Sequence, residues 1–234
     1  MENQINFQSS SNCPTFSPNK FKKDLCQICI EKISKHSTAT DEQIRDALNY
    51  FVDKVPSLIW SGQGNVFMGG YKSAINIKFI QDNSIRLIIN ASGNFENIMG
   101  PKYLSELSKR RLDNMTREIR IDWIDATIQK IKTNELMFCM REINICINEG
   151  IDKLGQSVLI HCAQGKSRSS VIAIVWILIN DDKASTMTEG LKILKSRRPI
   201  AEPNPGFYEQ LREMERNGFF YEAKNELIKT GVQI

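Results

Sequence analysis

The sequence has few of the features that mark an exported, membrane-bound or nucleic-acid-binding protein. The start MENQINFQSS lacks a basic stretch followed by an apolar one, so we expect no secretory leader. Position 2 is not glycine, which excludes myristoylation there. The longest apolar run, Val171 to Ile179, falls well short of the ~20 residues that span a bilayer, so we predict a buried helix there and no membrane span.

The net charge and the cysteines also favour an intracellular protein that does not bind nucleic acid. A net charge of +4 favours an anionic partner such as a phosphorylated chain, but it is too weak to indicate nucleic acid. No block of lysine and arginine carries interleaved aromatic residues, so we expect no nucleic-acid surface. Without a leader, the six cysteines are expected to be thiols in a reducing compartment. We therefore predict a cytoplasmic protein with access to the nucleus.

The 234 residues are enough for one ordinary domain with an extension. Residues 1 to about 20 are polar and lack periodicity, which predicts a disordered arm. Apolar residues at helical spacing predict one helix from Phe21 to Ser34 and another that begins after Thr40 and ends before Pro56. We therefore assign residues 1–55 to an extension and 56–234 to the main domain.

The main domain alternates short apolar runs with helical patterns. The predicted strands are Leu58–Trp60, Val66–Met68, Ile85–Asn90, Glu118–Ile124 and Ser157–Ile160. The predicted helices are Tyr71–Phe79, Lys102–Arg111, Glu135–Lys153, Ser169–Asn180, Met187–Arg197, Phe207–Asn217 and Tyr221–Lys229. Such alternation predicts an α/β fold in which helices flank a central, twisted and mainly parallel sheet.

One segment, HCAQGKSRS at 161–169, has the composition of an anion-binding turn between a strand and a helix. The unpaired N–H groups at the start of a helix, together with its dipole, attract an anion there. Gly165 allows the backbone to curl, and the planar guanidinium of Arg168 can bind two phosphoryl oxygens. The same field favours the thiolate form of a cysteine, so Cys162 is the candidate nucleophile.

This segment resembles the HCxxGxxRS/T signature of the protein tyrosine phosphatase superfamily. The resemblance implies that Cys162 attacks phosphorus, that Arg168 binds the phosphoryl group, and that Ser169 stabilises the leaving thiolate. It also implies that the loop lines the substrate pocket and that the preceding histidine positions it. These substrate-binding residues are His161, Ala163, Gln164, Gly165, Lys166 and Ser167.

Three further segments resemble the dual-specificity branch of this superfamily. They are NVFMGGY at 65–71, IINAS at 88–92, and PNPGF at 203–207 followed by Gln210 and Leu211. The match runs from about Ser57 to Glu215 and resembles an atypical dual-specificity phosphatase. It implies the corresponding fold and hydrolysis of phosphotyrosine, phosphoserine and phosphothreonine in protein substrates. It also implies that the reaction passes through a cysteinyl-phosphate and needs neither metal nor cofactor.

The general acid is less well defined by the sequence. Trp123-Ile124-Asp125 resembles the Trp-Pro-Asp triplet of tyrosine phosphatases, which favours Asp125 over Asp122. Asp125 lies 37 residues before Cys162, which is more than the dual-specificity branch usually has, so residues 126–134 would form a longer loop. An alignment without an insertion places the acid position near Lys130 and leaves the enzyme without a donor.

Several alternatives remain open. A protein that keeps the pocket but lacks a working acid would be a phosphate-binding pseudophosphatase adaptor. Lys166 would suit a phosphoinositide phosphatase, although position 163 lacks the second loop lysine. RNA 5′-phosphates rank with lipids as alternative substrates.

A zinc site is the remaining alternative for the extension, but Cys13, Cys26, Cys29 and His36 form only half of a known zinc pattern. Arg197 and Arg198 could contact an acidic substrate, but we expect them to complement a helix dipole. The oligomeric state is undetermined.

Overall fold

A computed structural model describes Thr40 and residues 55–93, 105, 107–110, 116–148 and 156–229. Contacts divide the chain into two units, Met1–Lys54 and Val55–Ile234. The predicted arm, the two predicted helices before Pro56 and the half zinc pattern lie outside the described residues. So does most of the predicted helix Lys102–Arg111, of which Ser105 and residues 107–110 are described and helical.

The described part of the second unit contains five strands and seven helices of defined bounds. The strands are β1 Ser57–Ser61, β2 Asn65–Gly69, β3 Ile85–Asn90, β4 Arg117–Arg120 and β5 Ser157–His161. The helices are α1 Tyr71–Ala74, α2 Ile77–Asp82, α3 Thr133–Asn148, α4 Arg168–Asn180, α5 Met187–Arg197, α6 Pro205–Arg216 and α7 Phe219–Lys229.

The five strands form one sheet in the order β1-β2-β5-β3-β4. Only β1 and β2 are antiparallel, and the other three pairs are parallel. The register places Gly69 and Asn90 on either side of His161, so β2, β5 and β3 end at the same edge. The predicted α/β fold is confirmed, and the loop after β5 opens at the edge where such folds bind ligands.

The segments on either side of this loop are rigid because they are buried. Every residue of β5 is buried, as expected for a central parallel strand. Helix α4 is buried from Arg168 through Ile179, and its Trp176 packs edge-on against Trp60 with the ring centroids 5.5 Å apart. The apolar run is therefore a buried helix, as predicted. Among the described helices, none is long and apolar enough to cross a bilayer.

Two predicted elements were wrong in their extent. The predicted helix Tyr71–Phe79 is broken into α1 and α2, because the Asn76 side chain accepts a hydrogen bond from the Phe79 N–H at 3.1 Å and starts a new helix. The predicted strand Glu118–Ile124 ends at Arg120, which pairs with the last residue of β3, Asn90. Beyond that pair no described strand lies beside the chain, so β4 ends and the chain leaves the sheet.

Candidate active site

The loop 162–167 joins β5 to α4 and encloses the thiol of Cys162. This residue is buried, with only 1% of its surface exposed. Its Sγ accepts a hydrogen bond from the Gly165 N–H at 3.2 Å and lies 3.3 Å from the Ser169 Oγ. The sulfur therefore has one N–H donor from the middle of the loop and one hydroxyl neighbour from the first turn of α4.

The carbonyl groups of the loop point outward because neighbouring segments bind them. The Ala163 carbonyl accepts from the Tyr71 N–H at 3.1 Å, and the Lys166 carbonyl accepts from the Glu202 N–H at 2.8 Å. Between them, the Gly165 carbonyl accepts from the Nε of Arg198 at 2.7 Å. Outward carbonyls leave the N–H groups facing the interior of the loop, which is the arrangement that binds an oxyanion.

Gly165 is required at its position for two reasons. Its φ is +67°, a conformation that residues with a side chain rarely adopt. A Cβ at this position would also overlap the backbone carbonyl of Gly69 at the end of β2. The loop can therefore curl against the sheet edge only because residue 165 lacks a side chain.

Arg168 begins α4 and is 8% exposed. Its Nη1 donates to the carbonyls of Ser92 at 2.9 Å and Trp123 at 3.3 Å, which holds the guanidinium in one plane. Its Nε is buried and has no hydrogen-bond partner among the described residues. An unpaired buried N–H beside the loop is a suitable donor for a phosphoryl oxygen.

Asp125 is brought to the mouth of the loop by the irregular segment 121–132, which follows β4. Its Oδ1 accepts from the Ser167 Oγ at 2.6 Å and from the Asn204 Nδ2 at 3.0 Å. Its Oδ2 lies 3.8 Å from the Arg168 Nε. The side chain is 38% exposed; Oδ1 is held by two hydrogen bonds, and Oδ2 lies near the Arg168 guanidinium.

The other candidates for the acid lie elsewhere. Asp122 is exposed and lines a cavity of about 170 Å³ with Asn90, Gly93, Arg120 and Ile121. Lys130 is exposed on the return limb of segment 121–132. This segment is irregular up to Lys132, so most of the predicted longer loop is present, and only Thr133 and Asn134 belong to α3 instead.

His161 is buried at the end of β5, and its Nδ1 donates to the Cys162 carbonyl at 3.3 Å. Burial lowers the pKa of this imidazole to about 4, although the contact with the Cys162 carbonyl and the charge of Glu118 oppose the shift. Its Nε2 has no partner among the described residues. His161 is therefore a buried, neutral imidazole in contact with the backbone of the residue that carries the thiol.

Lys166 points away from the loop interior. Its Nζ forms an ion pair with Glu202 at 2.9 Å, and this contact lowers the pKa of the Glu202 carboxyl. Gln164, Lys166 and Ser167 line a groove of about 650 Å³ beside the loop, which continues along Leu191, Pro203 and Tyr208. Lys166 therefore lines this groove with its charge paired to Glu202.

The place of Arg198 differs from the sequence-based expectation that it complements a helix dipole at the end of α5. Arg198 is instead fully buried, and besides Gly165 its guanidinium contacts the Gln164 carbonyl at 3.4 Å and the Ser57 Oγ at 3.3 Å. No local pattern distinguishes a buried arginine from an exposed neighbour. The only available signal was its place between a helix and the PNPGF segment.

No group of three or more His, Cys, Asp or Glu side chains suited to a metal ion occurs within the described ranges. The described residues of the site form an anion cradle, a buried thiol, a fixed guanidinium and a carboxylate at the entrance. This set suits transfer of a phosphoryl group to sulfur.

Comparison with known proteins agrees with this chemistry. Residues 66–217 match the family model "Dual specificity phosphatase, catalytic domain". Dual specificity protein phosphatase 1 of Arabidopsis thaliana is 27% identical over 80% of this chain and 82% of its own length. Dual specificity protein phosphatase 8 of Mus musculus is 28% identical over 65% of this chain but only 20% of its own length. The crystal structure of DUSP15 superimposes with a TM-score of 0.59 at 22% identity and covers 74% of this chain and 95% of that one. The resemblance identified from the sequence is confirmed: the chain belongs to the dual specificity phosphatase family.

Proposed function

We propose that this protein dephosphorylates phosphotyrosine, phosphoserine and phosphothreonine in protein substrates through a cysteinyl-phosphate on Cys162. The observation that carries the assignment is the arrangement around one loop of three groups. They are the buried Sγ of Cys162, the Arg168 Nε, which has no hydrogen-bond partner among the described residues, and the Asp125 Oδ2, 3.8 Å from that Nε. Residues 56–234 are proposed as the catalytic domain and 1–55 as an extension. The family relationship supports the reaction class, and the geometry supports these residue roles.

In the first step the Cys162 thiolate attacks phosphorus and forms the S–P bond as the bond from phosphorus to the substrate oxygen breaks. The loop N–H groups and Arg168 stabilise the charge on the transferring phosphoryl group. A proton passes from Asp125 to the leaving oxygen. Oδ2 is the oxygen that carries it, because Oδ1 already accepts from Ser167 and Asn204.

In the second step water attacks phosphorus and Asp125 takes one of its protons. The S–P bond then breaks, and the electron pair returns to sulfur. The Ser169 hydroxyl, 3.3 Å from the Sγ, donates a hydrogen bond to the departing thiolate. Inorganic phosphate leaves and the starting state is restored, with no metal or cofactor in either step.

The proposal also includes the class of substrate and the cellular compartment. A phosphorylated protein in the cytoplasm, with a role in signalling, fits the family relationship and the expected reducing compartment of the thiols. The phosphoinositide alternative is weakened, because the charge of Lys166 is engaged by Glu202 rather than directed at the pocket. Assays on phosphotyrosine peptides, phosphoserine peptides and phosphoinositide vesicles rank these substrates directly.

The central experiment measures hydrolysis of para-nitrophenyl phosphate with a chelator present. We expect wild-type activity and no activity for Cys162→Ser. For Asp125→Asn we expect a kcat about 10²- to 10⁴-fold lower on phenyl phosphate, measured beside it, and a smaller loss on para-nitrophenyl phosphate. Asp122→Asn is the matched control and should stay near wild type. If the wild type is as inactive as Cys162→Ser but binds a phosphopeptide tightly, the protein is a phosphate-binding adaptor and not an enzyme. Equal kcat values of Asp125→Asn and wild type on phenyl phosphate would contradict the role of Asp125 as the general acid.

A further inference from the structure

The loop that carries Asp125, residues 121–132, is attached along its length to helix α6 and the residue before it. We define this segment as the acid loop. Its buried side chains Trp123 and Ile131 are 1% and 8% exposed, whereas Asp122, Ile124 and Ile128 between and beside them are exposed. An irregular segment of this length needs fixed points if one carboxylate within it is to hold its place.

The outgoing limb is held by Trp123. Its indole Nε1 donates to the Glu135 carboxylate on α3 at 2.9 Å. Its ring lies against Phe207 on α6, with the centroids 5.7 Å apart and the planes at 40°. The backbone two residues before Asp125 is therefore fixed by packing and by a hydrogen bond.

The turn of the acid loop lies directly against the backbone of α6. A Cβ at Gly206 would overlap the carbonyl oxygen of Thr127. Residue 206 is in the first turn of α6, where glycine costs helix stability relative to alanine, so its presence there serves the close approach of Thr127.

The return limb is held by Gln210, which uses both ends of its amide. Its Nε2 donates to the Gln129 carbonyl at 2.8 Å, and its Oε1 accepts from the Ile131 N–H at 2.9 Å. The Gln129 side chain in turn accepts from the Ile124 N–H at 3.1 Å. Gln210 is thus connected through one residue to the backbone beside Asp125.

We infer that Gln210 is a positioning residue for the general acid, and that with Gly206 it holds the acid loop in its catalytic position before substrate binds. This inference rests on the proposed role of Asp125. Asn204 and Phe207 of the same segment contact Asp125 and Trp123, so four residues of the PNPGF and Gln210 pattern act on one loop. Helix α6 thus fixes the position of Asp125 relative to the phosphate loop, residues 162–167.

A displaced acid has a kinetic signature that general loss of structure lacks. A good leaving group such as para-nitrophenolate needs little protonation, whereas phenolate needs much more. We expect Gln210→Glu, which keeps the size but loses the donor, to lower kcat for phenyl phosphate on the order of 10- to 100-fold and to affect para-nitrophenyl phosphate far less. Gly206→Ala should give the same selective loss, although alanine favours the helix.

The controls separate this inference from the proposed function. Arg212→Ala, an exposed position on the same helix, should leave the ratio of the two rates unchanged. Asp125→Asn should show the largest selective loss, and Gln210→Glu added to it should change the ratio no further. Equal losses on both esters for Gln210→Glu and Gly206→Ala, beside a selective loss for Asp125→Asn, would overturn the positioning role alone. A wild-type ratio in Asp125→Asn would overturn the acid assignment and this inference with it.

Discussion

The Nε of Arg198 donates to the Gly165 carbonyl at 2.7 Å, so a fully buried guanidinium holds the phosphate loop from behind. The same guanidinium contacts the Gln164 carbonyl and the Ser57 hydroxyl, and it links the loop to the end of α5 and to β1. Because a carbonyl and the next N–H belong to one peptide plane, fixing the carbonyls outward fixes the N–H groups inward. The anion cradle is thus supported by a cation on its outer side.

Arg198→Lys is expected to weaken this support while keeping the charge. A lysine cannot reach several carbonyls in one plane, so the free energy of unfolding should fall by about 2–3 kcal/mol. The value of kcat/KM for para-nitrophenyl phosphate should fall on the order of 10-fold. Urea denaturation and steady-state kinetics measure the two effects. The exposed neighbour, changed in Arg197→Lys, is the control, and equal behaviour of both variants would argue against a role for Arg198.

Gly165→Ala should combine backbone strain with overlap. A side chain at positive φ costs about 1–2 kcal/mol, and overlap with the Gly69 carbonyl should add about 1–3 kcal/mol. Gly218→Ala provides a matched control, since its φ is +76° but nothing lies within 4 Å of the added carbon. Thermal or urea unfolding should therefore show the larger loss at Gly165, together with loss of activity. Equal losses would mean that the contact with Gly69 is unimportant.

His161 should make the protein less stable in mild acid. Burial lowers the pKa of its imidazole from 6.5 to about 4, so between these values the unfolded chain binds the proton and the folded chain does not. The full stability is present above pH 6.5 and is lost as the pH falls toward 4. By pH 5 the loss from this group is about 2 kcal/mol. His161→Gln should remove this component from urea unfolding curves at pH 8 and 5; an unchanged difference would contradict it.

Ser169→Ala should slow the second step more than the first. The hydroxyl stabilises sulfur only when sulfur leaves as a thiolate, so its loss should make hydrolysis of the cysteinyl-phosphate rate-limiting. We expect kcat to fall on the order of 100-fold, with a burst of para-nitrophenol equal to the enzyme concentration. Ser170→Ala is the control, since that buried hydroxyl binds the Lys166 carbonyl rather than the thiol. Absence of a burst in Ser169→Ala would contradict the assignment.

The parts of the fold that the sequence predicted well have local causes. The predicted helix Met187–Arg197 agrees with α5 at both ends, because Thr186 and Glu189 form a capping box at its start. The strand at Ile85–Asn90 also agrees, since a short apolar run bounded by turn residues is typical of a buried strand. The end of β4 was missed because it depends on where the partner strand stops.

The site residues, like the secondary-structure elements, were predicted well where they depend on local sequence and poorly where they depend on distant contacts. The phosphate loop is continuous in sequence, so Cys162, Gly165, Arg168 and Ser169 could be recognised from spacing and composition alone. Asp125 could be proposed but not placed, because its position depends on a loop held by a helix about 80 residues later in the chain. The resemblance places Lys166 among the substrate-binding residues, yet its ammonium group is paired with Glu202.

The sequence by itself determined the family, the anion-binding loop with its candidate nucleophile, and the order of strands and helices along the chain, because each depends on residues close together in the chain. Only the tertiary structure decided that Arg198 supports the loop from behind, that Asp125 rather than Asp122 faces it, and that α6 holds the acid loop. These contacts join residues separated by tens of positions. They form only when the sheet has set the distances between the segments that carry them.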